Sequence, residues 1–234
     1  MLVEPREVQV LTLQECSQVA DAVESLRTHW VHRSTDLPFY TLGAASYLDG
    51  ATSACYRARA TACNTVLWSS LEWLYRRVID ALEGVLEAPV AYAEDLGLPG
   101  FHVFLAHPLF CLPIATVHCD LQYELHEWAY PPTEVDLSNP LSFTLPLELP
   151  ASGSGLNTWP LDRAEIGNLD AVEVDARLGR STCQYHPYRL GHMLMHSGHT
   201  VHQMAPTENM EPPDRRITLQ GHGLRCAGTW RLYW

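Results

Sequence analysis

The sequence predicts an α+β fold in which helices come first along the chain and antiparallel strands follow. Two apolar stripes with helical spacing lie in the first part of the chain. From about Pro99 onward, short apolar runs alternate with Gly, Pro, Asn and Asp, which is the pattern of short strands joined by turns. Many strands of this kind form a barrel or a double-sheet roll, and we expect the helices to pack on one face of it.

Two helices are predicted before Pro89. Thr12 and Glu15 fit the capping box T-x-x-E, in which each side chain bonds the backbone N–H of the other residue, so the first helix begins here. The second helix is predicted to begin near Asn64 and to end before Pro89, because proline cannot continue a helix. The apolar stripe of the first helix is Leu13, Cys16, Val19, Val23, Leu26 and Trp30. The stripe of the second helix is Leu67, Leu71, Leu74, Val78, Leu82 and Val85.

The helices and strands are predicted to form one domain, because no linker or internal repeat divides residues 1–234. About 1–98 is the mainly helical part, and about 99–234 is the jelly-roll core. Within the core, 151–180 is long, polar and acidic, and we expect an insert that is either a solvated surface segment or a substrate lid. The predicted strands read GFHVFLAH, LPIATVH, LSFTLPLEL, GLNTWP, HMLMH, HTVHQM, RRITLQGHG and TWRLYW.

The charge and the apolar content favour an acidic protein with a sizeable core. The formal net charge is −12, and 47% of the residues are hydrophobic. Nucleic acid and anionic membrane surfaces bind through basic patches, so neither is expected as the main partner. The apolar runs are too short for a membrane-spanning helix, and the N-terminus MLVEPREVQVL lacks the pattern of a secretory signal. These features predict a soluble cytoplasmic protein.

The seven cysteines have irregular spacing and include no C-x-x-C motif. A zinc ribbon or finger is therefore not indicated. An odd number of thiols in a chain without a secretory signal is typical of reduced, mostly buried cysteines in a cytosolic protein.

One His-x-Asp pair lies at the end of the predicted strand LPIATVH. His118 and Asp120 are two residues apart, so on a strand they face the same side, while Cys119 faces the opposite side. This spacing pairs the imidazole with the carboxylate and separates the thiol from both. A solvated strand end is the alternative interpretation of the pair when it is taken alone.

Three histidines near a later turn offer a further metal ligand. The segment GHMLMHSGHTVHQM predicts two strands joined by a turn at 197–198, and it contains His196, His199 and His202. A ligand from the second strand, His202, completes a set of two histidines and one carboxylate. Such a set binds one face of an octahedral Fe(II) ion and leaves positions open for other ligands. His196 and His199 flank the turn and are predicted to be ordinary polar or supporting residues.

The next predicted strand, RRITLQGHG, places Arg216 and Thr218 on one face. A guanidinium group binds a carboxylate through two parallel hydrogen bonds, and a neighbouring hydroxyl can add a third. This pair would suit the distal carboxylate of a dicarboxylic keto acid. A surface ion pair is the alternative interpretation of Arg216.

Together these residues resemble the Fe(II)- and 2-oxoglutarate-dependent dioxygenases. The pattern of that family is H-x-D, then a distal His, then an Arg that is often followed by x-Ser or x-Thr. The resemblance covers about 100–223, and the segment SFTLPLELPASGSGLNTWP is similar to the family's central strands and their glycine-rich turn. The matching residues are His118, Asp120, His202, Arg216 and Thr218.

The resemblance implies a double-stranded β-helix, which is a cupin-like jelly roll, with the N-terminal helices packed outside. It implies Fe(II) bound by His118, Asp120 and His202, with 2-oxoglutarate and O2 as cosubstrates. Arg216 and Thr218 would hold the far carboxylate of 2-oxoglutarate, and Thr144 on SFTL could add a hydroxyl to that site. The cofactor performs the difficult step and the protein positions it.

The activity implied is hydroxylation of a C–H bond in a small-molecule substrate, with release of succinate and CO2. Asp120 favours hydroxylation over halogenation, since halogenating relatives lack this carboxylate, whereas desaturation and ring formation use the same triad. The alternatives are a hydroxylase of peptide or protein side chains, a non-catalytic cupin-type binding protein and a hydrolytic zinc enzyme. Neither of the last two would need a keto-acid clamp. The oligomeric state is left open.

Overall fold

Helices cover one face of a large antiparallel sheet, and a smaller sheet lies against its other face. The computed structural model describes residues 4–50 and 54–234. The helices are α1 Leu13–Ser25, α2 Ser46–Asp49, α3 Ala54–Leu86, α4 Arg163–Ile166 and α5 Ala171–Leu178, with short 3-10 turns at Arg27–His29, Pro108–Cys111, Gln122–Leu125 and Pro132–Glu134. The strands are β1 Arg6–Gln9, β2 Val31–His32, β3 Phe39–Leu42, β4 Val90–Tyr92, β5 Gly100–Leu105, β6 Val135–Glu148, β7 Ser152–Asp162, β8 Gln184–Pro187, β9 His192–Ser197, β10 Thr200–Asn209, β11 Arg215–Cys226 and β12 Thr229–Tyr233.

The larger sheet has the strand order β1-β9-β6-β11-β5-β3-β2, and β12 and β4 extend it beside β11. The smaller sheet has the order β10-β7-β8. Every pairing is antiparallel except that of β12 with β4. The predicted α+β class is confirmed. The N-terminal part is less purely helical than expected, because β1 to β4 belong to the larger sheet.

The first helix begins at the predicted cap. Thr12 Oγ1 accepts a hydrogen bond from the backbone N–H of Glu15 at 3.2 Å, and the Glu15 carboxylate accepts one from the backbone N–H of Thr12 at 2.8 Å. The helix ends at Ser25, so Trp30 lies beyond it. The Trp30 indole still donates to the Val23 carbonyl at 3.0 Å, which keeps it packed against the helix.

The second long helix differs from its prediction at its start. It begins at Ala54, well before Asn64, and it kinks at Leu71, where φ is −137°. The earlier turns lack a regular apolar stripe, and that is why spacing alone missed them. The helix ends at Leu86, as Pro89 predicts.

Alternating side chains divide the larger sheet into an apolar face and a polar face. On the apolar face, Phe143 and Leu219 are buried in the same core as α1 and α3. On the polar face, Ser142, Thr218 and His222 point toward the smaller sheet and are also buried. Polar side chains therefore line part of the region between the sheets.

Two predicted segments differ from the structure. Residues 112–118, predicted as the strand LPIATVH, form an irregular segment in which only His118 makes an isolated bridge to His202. The predicted polar insert at 151–180 begins too early, because 152–162 is β7 of the smaller sheet. The rest of the insert contains α4 and α5, each of which begins with an aspartate capping box.

Within 4–50 and 54–234, no helix combines the length and the apolar character that a membrane crossing requires. All seven cysteines are free thiols.

Candidate metal centre

Three predicted ligands meet between the two sheets. Nε2 or carboxylate oxygen atoms of His118, Asp120 and His202 all lie within 4.8 Å of one another. His118 Nε2 is 3.5 Å from Asp120 Oδ1, and His202 Nε2 is 3.3 Å from Asp120 Oδ2. His202 projects from β10, whereas the other two residues lie on the irregular segment that precedes the turn Gln122–Leu125.

Backbone pairing brings that irregular segment to β10. The N–H of His118 donates to the carbonyl of His202 at 2.9 Å, and the reverse bond has the same length. The N–H of Asp120 donates to the Gly198 carbonyl at 2.7 Å. A single bridge therefore places His118 and Asp120 as a strand would have done.

Cys119 points away from the three converging side chains. Its thiol donates to the backbone carbonyl of His199 at 3.2 Å. Burial, helped by the nearby negative charge of Asp120, raises the pKa of this thiol to about 12. A protonated thiol is a poor metal ligand, so the geometry and the charge state agree.

Both histidines of the centre have a fixed tautomer. Nδ1 of His118 lies 2.9 Å from the Thr116 carbonyl, and Nδ1 of His202 lies 2.8 Å from the Thr200 carbonyl. A carbonyl only accepts hydrogen bonds, so each Nδ1 carries the proton. The lone pair of each Nε2 is therefore free for a metal ion, as in many histidine-ligated metal sites.

Asp120 is an ionised carboxylate in a buried site. Burial alone would raise the pKa of the Asp120 carboxyl, but His202, His222 and hydrogen bonds hold it well below its usual value. Burial alone would lower the pKa of His118, but the hydrogen bond and the charge attraction that its protonated form gains with Asp120 raise it. A buried anion of this kind needs a compensating charge, which a bound cation supplies.

The donor set fits Fe(II). Two imidazole nitrogens and one carboxylate are the ligands of the facial arrangement found in non-haem iron oxygenases, and three ligands leave positions open. The triad predicted from the sequence, His118, Asp120 and His202, is thus the set of residues that the fold brings together.

Arg216 lies on the same polar face and has no acidic partner in the part of the chain that the structure describes. Its side chain is buried, with the guanidinium 3.9 Å above the centre of the Phe104 ring and in contact with the Met204 sulfur. Its Nε has no hydrogen-bond partner among the described residues, and neither has the buried hydroxyl of Thr218. Burial lowers the pKa of Arg216 to about 10, which leaves it charged at neutral pH.

The surface ion pair considered for Arg216 belongs to its neighbour. Arg215 binds the Glu148 carboxylate at 2.7 and 2.9 Å and the Glu24 carboxylate at 2.8 Å. The strand period places these two arginines on opposite faces of β11. Arg216 alone is therefore available to a buried anion.

Tyr188 lies near the buried guanidinium, and Thr144 lies beside Tyr188. Burial raises the pKa of Tyr188, while the positive charge of Arg216 and the Thr144 hydroxyl lower it in part. The role of Thr144 in a keto-acid site stays a prediction, and the sequence did not indicate Tyr188. Tyr188 follows β8 in an irregular stretch, where no periodic pattern indicates the direction of a side chain.

His196 and His199 occupy supporting positions. The ring of His196 packs 4.5 Å from that of His202, and burial lowers the pKa of His196 to about 3. His199 Nε2 lies 2.9 Å from the Tyr123 hydroxyl. His222 was not predicted, although it lies on the same strand face as Arg216, and its Nδ1 is 3.1 Å from Ser142 Oγ.

Arg163, the first residue of α4, fastens the segment that carries two of the ligands. Its guanidinium donates to the Tyr123 hydroxyl at 2.7 Å and pairs with Glu124 at 2.5 Å. Its backbone N–H donates to the His199 carbonyl at 3.0 Å. Arg163, at the start of α4, therefore holds the segment that carries His118 and Asp120 in place.

No model of a protein family matches the sequence, and no curated protein is significantly similar to it. Solved structures do match. An N-substituted L-amino acid dioxygenase from Burkholderia ambifaria AMMD, in complex with α-ketoglutarate (2-oxoglutarate), aligns with a TM-score of 0.58 and 15% identity, over 99% of this chain and 86% of that one.

Two proteins of nogalamycin biosynthesis also match. The non-haem α-ketoglutarate-dependent carbocyclase SnoK has a TM-score of 0.51 and 16% identity, over 94% of this chain and 78% of that one. The epimerase SnoN has a TM-score of 0.50 and 18% identity, over 96% and 81%. The chain has the fold of these oxygenases. Likeness at such low identity concerns the fold, so the activity must be argued from the site.

Proposed function

We propose that this chain is an Fe(II)- and 2-oxoglutarate-dependent oxygenase. The observation that carries the proposal is the convergence of His118, Asp120 and His202 within 4.8 Å, between the two sheets, where the larger sheet also carries a buried arginine with no acidic partner among the described residues. The facing antiparallel sheets support a double-stranded β-helix as the framework. The likeness to solved oxygenases with this fold favours the same class.

Nε2 of His118, Nε2 of His202 and the Asp120 carboxylate would hold the iron. When bound, Fe(II) supplies the activation of O2, coupled to oxidative decarboxylation of 2-oxoglutarate to succinate and CO2. The protein fixes the tautomers of both histidines and keeps the carboxylate ionised. These properties favour a divalent cation and provide it with neutral nitrogen donors.

Arg216 and Thr218 would bind the distal carboxylate of 2-oxoglutarate. Arg216 presents a charged group with an unpartnered Nε, and Thr218 presents an unpartnered hydroxyl. An anion would satisfy both groups and neutralise the buried positive charge. Tyr188, near Arg216, and Thr144, beside Tyr188, would add hydroxyl donors to the same carboxylate.

The proposed reaction is hydroxylation of a C–H bond in a small molecule. A carboxylate at Asp120 occupies the position that halogenating enzymes leave free for chloride. The matched structures include a carbocyclase and an epimerase, so the fold supports several outcomes of the same oxidative chemistry. The seven free thiols favour a reducing compartment, and we place the enzyme in the cytoplasm.

The test uses the purified chain without oxygen. Fe(II) and 2-oxoglutarate together should give a weak visible charge-transfer band, and admission of air should then release succinate in the absence of added substrate. A substrate screened by stimulated succinate release should gain one oxygen atom, as measured by mass spectrometry. A product that has lost two hydrogens would instead indicate desaturation or ring formation.

Two outcomes would separate the alternatives. Metal binding with no band and no succinate would favour a cupin-type binding protein, and hydrolysis supported by Zn(II) would favour a hydrolytic enzyme. Arg216 and Thr218 argue against both, because neither alternative uses a keto-acid clamp. Stimulation by peptides but by no small molecule would favour a side-chain hydroxylase.

A further inference from the structure

The Asp120 carboxylate is held at both oxygens by side chains outside the ligand set. Oδ2 accepts a hydrogen bond from Ser142 Oγ at 2.5 Å, and Oδ1 accepts one from Gln122 Nε2 at 3.1 Å. The terminal torsion of an aspartate is otherwise broad, so an unbonded carboxylate would sample many orientations. These two bonds fix the plane of the carboxylate before any metal binds.

The stronger of these bonds is the end of a directed chain. A carboxylate only accepts, so the Ser142 hydroxyl proton points to Asp120. Ser142 Oγ must then accept its second bond from His222 Nδ1, which lies 3.1 Å away. The order of donation is therefore His222 to Ser142 to Asp120, and this order sets the tautomer of His222.

The hydrogen-bond chain from His222 to Asp120 is buried, and two of its residues lie in regular β-strands. Ser142 and His222 are only 2% and 7% exposed. They are directly paired across β6 and β11, so the two strands hold them in register. Among the described residues, neither Ser142 nor His222 makes a hydrogen bond to Arg216 or Thr218.

We propose that Ser142 and His222 are positioning residues of the metal centre, which fix the orientation of the Asp120 carboxylate through a directed hydrogen-bond chain. The proposal rests on the proposed function in taking Asp120 as a metal ligand. Loss of this hydrogen-bond chain would leave all three ligands in place, but the carboxylate would be held by Gln122 alone and would be less restricted in orientation. Metal affinity would then fall although the ligand set is complete.

The same strand offers a matched control. Ser138 Oγ donates to Asp136 Oδ1 at 2.5 Å, the length found for Ser142 and Asp120. Both residues of this second pair are exposed and lie outside the metal centre. Ser138→Ala therefore removes a serine–aspartate hydrogen bond from β6 without touching the chain that is proposed to act.

The experiment measures the affinity of the metal-free protein for Co(II) alone, by competition with a chelator and from the cobalt absorption spectrum. We expect Ser142→Ala to bind Co(II) about 10- to 100-fold more weakly, the range for loss of a partner that orients a ligand. Ser142→Thr keeps the hydroxyl and should bind nearly as the wild type does. Ser138→Ala should bind unchanged.

The histidine is tested by a second pair of variants. His222→Asn keeps a side-chain N–H near the position of Nδ1 and should retain most of the affinity, whereas His222→Leu should lose it. The melting temperature of each metal-free variant separates positioning from folding. If His222→Leu does not fold, the two Ser142 variants decide the question by themselves.

Two results would overturn the proposal: wild-type Co(II) affinity in Ser142→Ala, or equal weakening in Ser142→Ala and Ser142→Thr. The second result would mean that packing, and not the hydroxyl, is responsible. The proposed function fails separately, if the wild type binds Co(II) but releases no succinate with Fe(II), 2-oxoglutarate and air. In that case the Co(II) affinities would still test whether the hydrogen bonds from His222 through Ser142 position the Asp120 carboxylate.

Discussion

The region between the sheets has a metal end, at Asp120, and an arginine end, at Arg216. The two ends differ in how completely protein hydrogen bonds satisfy the polar groups that would bind a ligand. At the metal end, the Asp120 carboxylate and the Nδ1 atoms of His118 and His202 all have protein hydrogen-bond partners, and only the supporting residue Gln122 has an unpartnered buried atom among the described residues, Oε1. At the arginine end, Arg216 Nε and the Thr218 hydroxyl are buried without partners. One end is pre-organised, and the other is incomplete.

This difference indicates what each end binds. A metal ion needs rigid donors with fixed tautomers, so a site that is finished before the ion arrives is appropriate for it. Buried polar atoms without partners destabilise a protein, which makes them rare unless a ligand supplies the missing bonds. We therefore expect a ligand to complete the arginine end.

Removal of a metal-ligating side chain should have the largest effect. We expect His202→Ala to weaken Fe(II) binding by more than the roughly 100-fold that loss of a supporting partner can cause, and to abolish succinate release. Isothermal titration with Mn(II) or Co(II) measures the loss. His199→Ala is the control, and a loss of metal there but not at position 202 would assign the third ligand to His199 instead.

Removal of the charge at the incomplete end should leave metal binding intact. Arg216→Met should weaken 2-oxoglutarate binding by at least roughly 10- to 150-fold, because each hydrogen bond to a charged group contributes about 1.5–3 kcal/mol. Titration of the charge-transfer band of the anaerobic Fe(II) protein measures this affinity.

Arg215→Met is the matched control, since Arg215 is the adjacent residue and its part-buried ion pairs with Glu148 and Glu24 lie on the opposite face of β11. This variant should lower the free energy of unfolding, because it removes a bidentate bond to Glu148 and a bond to Glu24, but it should leave the 2-oxoglutarate affinity unchanged. Equal loss of 2-oxoglutarate affinity in the two variants would contradict the assignment of the clamp to Arg216.

A smaller effect is expected at Thr218, where loss of the hydroxyl should weaken 2-oxoglutarate binding without lowering the stability of the ligand-free protein. Thr218→Val should weaken 2-oxoglutarate binding by roughly 2- to 10-fold, through loss of a hydrogen bond of about 0.5–1.5 kcal/mol. Without the ligand, the same variant should be as stable as the wild type or more stable, because it removes a buried hydroxyl that has no partner. Thr218→Ser should bind as the wild type does. A less stable Thr218→Val protein would mean that the hydroxyl already has a partner.

The smallest effect is expected at Cys119, between two ligands in sequence but directed away from them. Cys119→Ala should change Co(II) affinity by less than about two-fold, well below the effect of losing a supporting partner. The cobalt spectrum should also be unchanged, since no sulfur ligand is lost. A change in that spectrum would place the thiol in the coordination sphere.

The three residues that the sequence predicted as metal ligands do converge in the structure, but for a reason that holds only in part. The i, i+2 argument assumed a strand through His118, and the structure has an irregular segment with one bridge instead. Extended backbone at the bridge is enough to separate Cys119 from its two neighbours. The predicted starts of the second long helix and of the insert were wrong, because neither segment begins with a distinct apolar period.

Local spacing by itself determined the α+β class, the cap at Thr12, most strands of the core and the placement of Arg216 and Thr218 on one face. These features depend on residues within one element, where the period of the backbone fixes the direction of each side chain. Only the tertiary structure decided that Arg215 takes the surface ion pair, and that Tyr188, Ser142 and His222 approach the site. Those contacts join residues far apart in sequence, and their partners depend on strand order and register, which no local pattern encodes.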